Sequence, residues 1–343
     1  MPHTATSSAA SPIDAAPLAE RHAALRQRLG RRADCVEWAL QLPIIDAILR
    51  LKQERGATLL AHTYQAPEIF HGVADITGDS LALAQAAVEA PGELLVVCGV
   101  HFMAESVKLL APGKTVLIPD LEAGCSLADA ISAEDVRQLR RQHPGVPVVC
   151  YVNTSAAVKA ECDACCTSAN AVSVVESMGS DQVIFVPDRF LGAYVASQTQ
   201  VRLLLWQGSC EVHEKFTARQ ARQTRDQHDA VLLAHPECPP EVLAEADFVG
   251  STSAMSRWIE RAQPRRVALV TECTMADNLR VLHPNIQFVQ PCQLCPHMQR
   301  ITLPGILNTL RTLRHPVEID AQVAERARRA LHRMLSAGRD AQQ

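Results

Sequence analysis

Three cysteines in this 343-residue chain, Cys125, Cys210 and Cys295, are evenly spaced, with Cys210 midway between the other two, and the segments around them repeat with them. An interval that long is that of a small domain rather than a solenoid unit, so one supersecondary pattern is built three times. Each copy opens with a short apolar run ending in polar residues, at 59–64, 148–153 and 231–237. A cluster of small polar residues follows: Gly78-Asp79-Ser80, Thr167-Ser168-Ala169-Asn170 and Gly250-Ser251-Thr252-Ser253. Then come a second apolar run (94–98, 183–186, 267–270), a helical stretch, and a third run (116–118, 202–205, 287–289). The repeated cysteine stands just beyond that third run.

Strands that alternate with helical stretches and read as continuous apolar runs predict βαβ units, with parallel sheets covered on both faces. Open α/β sheets bind ligands beyond the carboxyl ends of their strands. Here those ends carry His62, Tyr64, Tyr151, Asn153, His235 and Glu237. The expected fold is α/β: three similar three-layer αβα domains with short parallel sheets, related by pseudo-threefold symmetry around a central active site. The expected partition is an extension over 1–42 and domains over 43–130, 131–216 and 217–300, with C-terminal helices over 301–343 packing back on the first. Amphipathic helices are predicted at 43–55, with Ile44, Ile45, Ile48 and Leu49 on one face, and at 319–335, with Ile319, Val323, Ala327, Leu331 and Met334.

The chain has twelve cysteines. In a reducing compartment they are not expected to form a disulfide framework, and those that are not buried fillers are ligands or reactive thiols. The repeat separates these groups, because Cys125, Cys210 and Cys295 reach one cleft from equivalent places and are predicted to hold one metal centre. Three thiolates suit zinc or an iron–sulfur cluster, and the set is read as the latter. With no fourth protein ligand, one metal corner stays open, as a Lewis acid requires. Cys162-x-x-Cys165 and Cys292-x-x-Cys295 each match half of a zinc knuckle, but no second pair completes either. Cys292 reads as a reactive thiol beside the centre, and Cys35, Cys98, Cys150 and Cys273 read as core residues.

The small polar clusters read first as helix N-caps. Three of them near one cleft also offer N–H groups to anions. Ser80, Ser168, Ser251 and Thr252 are therefore candidates for binding a ligand with several carboxylates or a phosphate. His, Tyr and Glu at matching strand ends suit acid–base and hydrogen-bonding work. His213, three positions after Cys210, either serves the metal's surroundings or the substrate, or lies on a surface loop. A net charge of -4 and an aromatic content of 4% give no support to a nucleic-acid partner. Apolar runs such as 94–100 are too short to cross a bilayer, and residues 1–40 lack a secretory pattern, so a cytoplasmic protein without a membrane partner is expected.

At these residues the chain resembles the quinolinate synthase family, iron–sulfur enzymes of de novo NAD biosynthesis. The matching segments are HTYQAPE at 62–68, ADITGDS at 74–80, PDLEAGCSLAD at 119–129, YVNTS at 151–155, CTSAN at 166–170, GSCEVH at 208–213, HPEC at 235–238, GST at 250–252 and CPHM at 295–298. They follow family order and are specific together, although each alone is weak. The resemblance implies a [4Fe–4S] cluster held by one cysteine from each domain. It also implies condensation of iminosuccinate (iminoaspartate) with dihydroxyacetone phosphate, and a functional coupling to L-aspartate oxidase. By match to the family motifs, His62, Ser80, Tyr151, Asn153, Ser168, His235, Ser251 and Thr252 would hold carboxylates and phosphate. Tyr64 and Glu237, with His235, would carry the acid–base chemistry.

The conspicuous Cys238 of HPEC divides the stretch from Cys125 to Cys295 unequally, so it breaks the even spacing that Cys210 keeps. Two alternatives stand beside the family reading: an iron–sulfur hydro-lyase for another small polycarboxylate, and an iron–sulfur or zinc sensor. A sensor has no need of three anion-binding clusters or of the polar strand ends. Alanine at Cys125, Cys210 or Cys295 should each abolish iron incorporation in anaerobically prepared protein, whereas Cys238→Ala should retain it. Iron lost from Cys238→Ala and kept by Cys210→Ala would reverse the ligand choice.

Overall fold

The computed structural model describes residues 17–30, 36–289 and 291–340. Twelve strands form three separate four-stranded sheets, parallel throughout. The first holds β1 (Ala57–His62), β2 (Ile76–Gly78), β3 (Leu94–Cys98) and β4 (Thr115–Leu117). The second holds β5 (Val148–Tyr151), β6 (Ala164–Cys166), β7 (Gln182–Val186) and β8 (Arg202–Leu205). The third holds β9 (Val231–Ala234), β10 (Phe248–Val249), β11 (Arg266–Val270) and β12 (Gln287–Val289). All three have one strand order: β2-β1-β3-β4, β6-β5-β7-β8 and β10-β9-β11-β12. Helices flank each sheet, giving the α/β class and three αβα units that the repeat predicts.

Sequence periodicity finds three strands per unit, and the structure adds a fourth at an edge. β2, β6 and β10 have only 3, 3 and 2 residues, too few for an alternation to register. Each is fixed by an aspartate just ahead of it. Asp75 accepts the N–H of Leu59 at 2.9 Å, Asp163 that of Val148 at 2.8 Å and Asp247 that of Leu232 at 2.8 Å. The N–H groups of the same aspartates donate to the carbonyls of the same three residues. The repeat is therefore written in hydrogen bonds as well as in apolar runs.

Alternation along the inner strands fills both faces of a sheet. In the third unit Leu233, Val267 and Leu269 pack with Met255 and Ile259 on one face, while Leu232, Ala268 and Val270 pack with Phe216 and Ala221 on the other. The helix predicted at 43–55 starts earlier, spanning Val36–Arg55 with Pro43 inside it. A proline inside a helix costs about 3 kcal/mol. Here the turns ahead of it bury Trp38 and Leu42, and Ile45 and Ile48 beyond it are fully buried, so core packing outweighs that cost. The helix crosses the expected edge of the extension at residue 42. Upstream, Leu18–Arg21 and Ala23–Leu29 are short helices held by Arg21 and His22 on the buried Asp46. Cys35 and the rest of the lead, 1–16 and 31–35, lie outside the described residues.

The C-terminal helices divide between two units. Leu303–Thr312 lies along Val36–Arg55 of the first. Ala321–Asp340 buries Ala327, Leu331 and Met334, but chiefly on the second unit, against β6, Ala156–Lys159 and Ala171–Ser177, with His101–Leu110 of the first alongside. No helix among the described residues is long and apolar enough to cross a membrane. Asp247→Ala should leave the N–H of Leu232 unpaired in the sheet and cost about 1–3 kcal/mol. Urea unfolding would measure this, with Asp226→Ala on the exposed face of a neighbouring helix as the control that changes little.

Candidate active site where the three strand ends converge

One cavity, with about 740 Å³ of empty space counting its opening to solvent, lies at the carboxyl ends of all three sheets. Its wall includes Cys125, Cys210 and Cys295, one from each unit. The loops that carry them share a local conformation. The carbonyl of each cysteine accepts the N–H four positions on: Asp129 for Cys125 (3.0 Å), Glu214 for Cys210 (3.0 Å) and Gln299 for Cys295 (3.1 Å). Each sulfur also faces the backbone N–H groups two and three positions on: Leu127 and Ala128, Val212 and His213, His297 and Met298. Those N–H groups favour a thiolate. Burial opposes them and prevails, pushing the Cys125 thiol up to about 12, Cys210 well above the usual thiol range, and Cys295 upward.

The three loops are also tied to one another. The N–H of Glu211 donates to Ser126 Oγ at 3.1 Å, joining the second loop to the first. The Glu211 carboxylate meets His297 Nε2 at 2.9 Å, joining the second to the third. Arg300 reaches Asp120 at 3.0 Å, joining the third to the first. Gly208 lets the second loop approach, since a Cβ there would sit 2.6 Å from the Pro187 carbonyl oxygen.

A chain of short hydrogen bonds crosses the cavity floor. Tyr151 donates to Glu237 Oε1 at 2.6 Å, and Glu237 Oε2 meets His213 Nδ1 at 2.8 Å. His213 Nε2 lies 3.0 Å from Thr271 Oγ1, which lies 2.7 Å from the Tyr64 hydroxyl. Nδ1 of His213 is also 3.2 Å from Cys210 Sγ. With a proton on Nδ1, every link has one donor and one acceptor: Tyr64 to Thr271, Thr271 to His213, His213 to Glu237, Tyr151 to Glu237. Burial disfavours the charge on Glu237, but His213 beside it and the hydrogen bonds from His213 and Tyr151 hold its carboxyl below the usual range. Burial, seconded by the charge of Glu237, raises both tyrosines well above theirs.

Two further imidazoles face the cavity. Burial lowers His62 to about 4 and His235 to about 3, so both are neutral at pH 7 and present one donor and one acceptor each. Ser168 Oγ sits 3.2 Å from His235 Nε2. Asn153, Ser80 and Thr252 complete the polar wall.

Of the site residues expected from sequence, Ser251 alone is not on that wall. It is buried and caps helix Thr252–Ala262 by accepting the N–H of Ala254 at 3.2 Å. Ser80 is the first residue of helix Ser80–Glu89, capped by Asp79 rather than by itself. Ser168 stands three positions ahead of the helix Ala171–Ser177, so its hydroxyl, not a helix end, is what it offers. Cys238 is buried against the Val270 carbonyl, away from the cavity wall. Sequence reasoning misses Thr271 and Glu272. Both follow β11, and the rule that draws attention to the ends of the first strands applies equally to the second. Glu272 accepts from Thr274 and from the N–H of Cys295 (3.3 Å), and burial raises its carboxyl to about 7.

Two cysteine readings are corrected. Cys273 and Cys292 are joined in a disulfide, so Cys292 is not a free reactive thiol, and Cys273, buried as expected, is bonded rather than a lone filler. Each stands three positions past the end of its strand, β11 or β12, and these strands are parallel neighbours, which brings the two side by side despite a sequence separation of 19. Of the other paired cysteines, Cys162 donates to the Val158 carbonyl at 3.2 Å. Cys165 lies inside β6 opposite Cys150, with the sulfurs 3.5 Å apart in the core.

Fold and site together define an α/β enzyme with three cysteines, one from each unit, lining a cavity beside a hydrogen-bonded acid–base chain. Among known proteins, the NadA family model, described as quinolinate synthetase A protein, matches residues 46–336. Quinolinate synthase 1 of Mesorhizobium japonicum is 59% identical over 314 residues, 91% of this chain and 97% of its own length. The quinolinate synthases of Agrobacterium fabrum (56%, with 91% of each chain covered) and Xylella fastidiosa Temecula1 (54%, with 92% and 94% covered) are similar along their length. The chain belongs to the quinolinate synthase family.

The two neutral histidines give a pH dependence of stability with a definite sign. Between about 6.5 and about 4 the unfolded chain protonates His62 and His235 while the folded chain does not, so stability falls as pH falls through that window. Glu272 opposes this between about 4.5 and 7, where the folded state holds one proton more, but it is one group against two. The urea midpoint of metal-free protein should drop between about pH 6.5 and 5, and His235→Gln should make the drop shallower. An equal drop in that variant would contradict the assignment.

Proposed function

We propose that this chain condenses iminosuccinate with dihydroxyacetone phosphate, releasing quinolinate, phosphate and two waters. We further propose that Cys125, Cys210 and Cys295 hold a [4Fe–4S] cluster. The observation that carries the reading is the arrival of three cysteine loops of one conformation at a cavity that also holds the Tyr151–Glu237–His213–Thr271–Tyr64 chain. The donor set suits a cluster better than one ion. Zinc–thiolate bonds of about 2.3 Å would draw three sulfurs close together. Among the described residues, the only three metal-capable side chains with ligand atoms all within 4.8 Å are Cys210, His213 and Glu237. Two of these are already engaged in the hydrogen-bonded chain, while the three cysteines stand wider apart.

Held by three thiolates, such a cluster supplies Lewis acidity at its iron without a protein ligand. The chain's own residues do the rest. Neutral His62 and His235, with Ser80, Ser168, Asn153 and Thr252, offer hydrogen bonds to carboxylates and phosphate without pairing charge. Tyr64 loses its proton through Thr271 to His213 Nε2, and the imidazolium so formed faces the Glu237 carboxylate, which makes that charge tolerable in a buried place. The same path returns the proton to a leaving hydroxyl. Tyr151, bonded to the other oxygen of Glu237, holds the carboxylate in register. Supply of unstable iminoaspartate implies functional coupling to an L-aspartate oxidase, and the proposed compartment is the cytoplasm.

The test is anaerobic incubation of iron-loaded protein with dihydroxyacetone phosphate and enzymatically generated iminoaspartate, assayed for quinolinate. Product is expected, and its absence would turn the reading toward a hydro-lyase. Tyr64→Phe should lower kcat by roughly 10²–10⁴-fold with iron content unchanged. A near-normal kcat would remove Tyr64 from the acid–base role.

A further inference from the structure

The cavity presents a charge problem. The proposed substrates are anions, yet its wall contains neither lysine nor arginine, and it does contain Asp79, Glu211, Glu237 and Glu272. Its imidazoles at positions 62 and 235 are neutral at pH 7. The other two imidazoles of the wall, His213 and His297, each face a carboxylate, Glu237 and Glu211, so positive potential from side chains that is not already paired has to come from behind the wall.

Among the described residues, Lys159 is the only lysine or arginine that is buried, with 0% of its surface exposed. It ends the helix Ala156–Lys159, behind the loop that follows β5. Its Nζ donates to the Val152 carbonyl at 2.8 Å and to the Thr154 carbonyl, the two that flank Asn153. The same Nζ lies 5.5 Å from the centre of the Phe102 ring. Tyr151, Val152, Asn153 and Phe102 all line the cavity, so one layer of protein separates Lys159 from the ligand space. Both acceptors are neutral carbonyls. The nearby ionisable groups are Cys150, which hydrogen bonds from Cys162 and Cys165, with the Lys159 charge, draw well below the usual thiol range, and Cys165, which burial holds well above it. A buried cation is costly, and a methionine of similar length would fill this space more cheaply if packing were its whole purpose.

We infer that Lys159 is a specificity-determining and positioning residue: it supplies the fixed positive charge that favours a dianionic C4 ligand, acting through Phe102 and the 152–154 loop without touching the ligand. This rests on the proposed dicarboxylate substrate. By pulling two carbonyls back from the cavity, Lys159 keeps their negative ends off the ligand and leaves Asn153 at the wall. In a medium of low polarisability its charge reaches across one protein layer with little screening.

The experiment uses iron-loaded protein and two probes of one shape, succinate and its uncharged diamide, succinamide, with calorimetric affinities for wild type, Lys159→Met and Lys159→Arg. Lys159→Met should weaken succinate by roughly tenfold to hundredfold and leave succinamide nearly unchanged, while Lys159→Arg should retain succinate. In turnover the methionine variant should raise KM for the dicarboxylate far more than it lowers kcat. Equal weakening of both probes would make the effect one of loop displacement and overturn the charge role. Unchanged succinate binding would mean that the neighbouring thiols already cancel the charge, and would overturn it too. Should Lys159→Met not fold, wild-type protein labelled with [15N]lysine decides the matter. The Lys159 Nζ resonance, assigned by its loss in Lys159→Arg, should shift with succinate and not with succinamide, and a resonance indifferent to both overturns the inference. Wild type that binds neither probe contradicts the dicarboxylate reading itself and removes the ground for this one.

Discussion

Three loops, each with one cysteine, are closed into a ring by polar contacts, and the rest of the site depends on that closure. Ser126 holds the backbone of Glu211, Glu211 holds His297, and Arg300 holds Asp120. No single unit contains a usable site. The first brings Tyr64 and His62, the second Tyr151 and His213, the third Glu237 and Thr271. Every hydrogen bond in the chain from Tyr151 to Tyr64 joins residues from different units. The ring converts three separate sheets into one constellation of fixed geometry. That is what acid–base chemistry needs, because small displacements of the reacting groups are expensive in rate.

Burial sets the character of the groups so assembled. It keeps His62 and His235 uncharged and the two tyrosines protonated, and it would keep the three cysteines as thiols were no cation bound among them. Glu237 is the exception, held ionised by two donors. The floor therefore carries the Glu237 charge and a proton path leading to it, with a buried lysine behind one wall. Substrate anions meet hydrogen-bond donors rather than salt-bridge partners, which favours recognition by shape and donor count.

Much of this is legible in the sequence because the fold repeats. Even spacing alone selects Cys210 over Cys238, and the structure gives Cys125, Cys210 and Cys295 the same turn and the same pair of facing N–H groups. What escapes lacks a periodic signal. β2, β6 and β10 are too short to alternate, and the aspartates that anchor them look like ordinary loop residues. The Cys273–Cys292 bond depends on which strands are neighbours, which a sequence separation of 19 does not reveal. Thr271 escapes because a threonine after a strand is commonplace, and its place between His213 and Tyr64 exists only once the three units meet. The caps are read partly right: Ser80 does start its helix, with Asp79 of the same cluster as the cap, whereas Ser168 lies ahead of the helix whose cap position is Asn170.

The central claim is that three wide-set cysteines hold an iron–sulfur cluster with one iron left for a ligand. Mössbauer spectroscopy of 57Fe-loaded protein, recorded anaerobically with and without quinolinate, tests it most directly. The account predicts a four-iron cluster in which about one quarter of the signal shifts when quinolinate is added. Four irons that all ignore the ligand, or protein that takes up a single zinc ion at Cys210, His213 and Glu237 in place of iron, would contradict it.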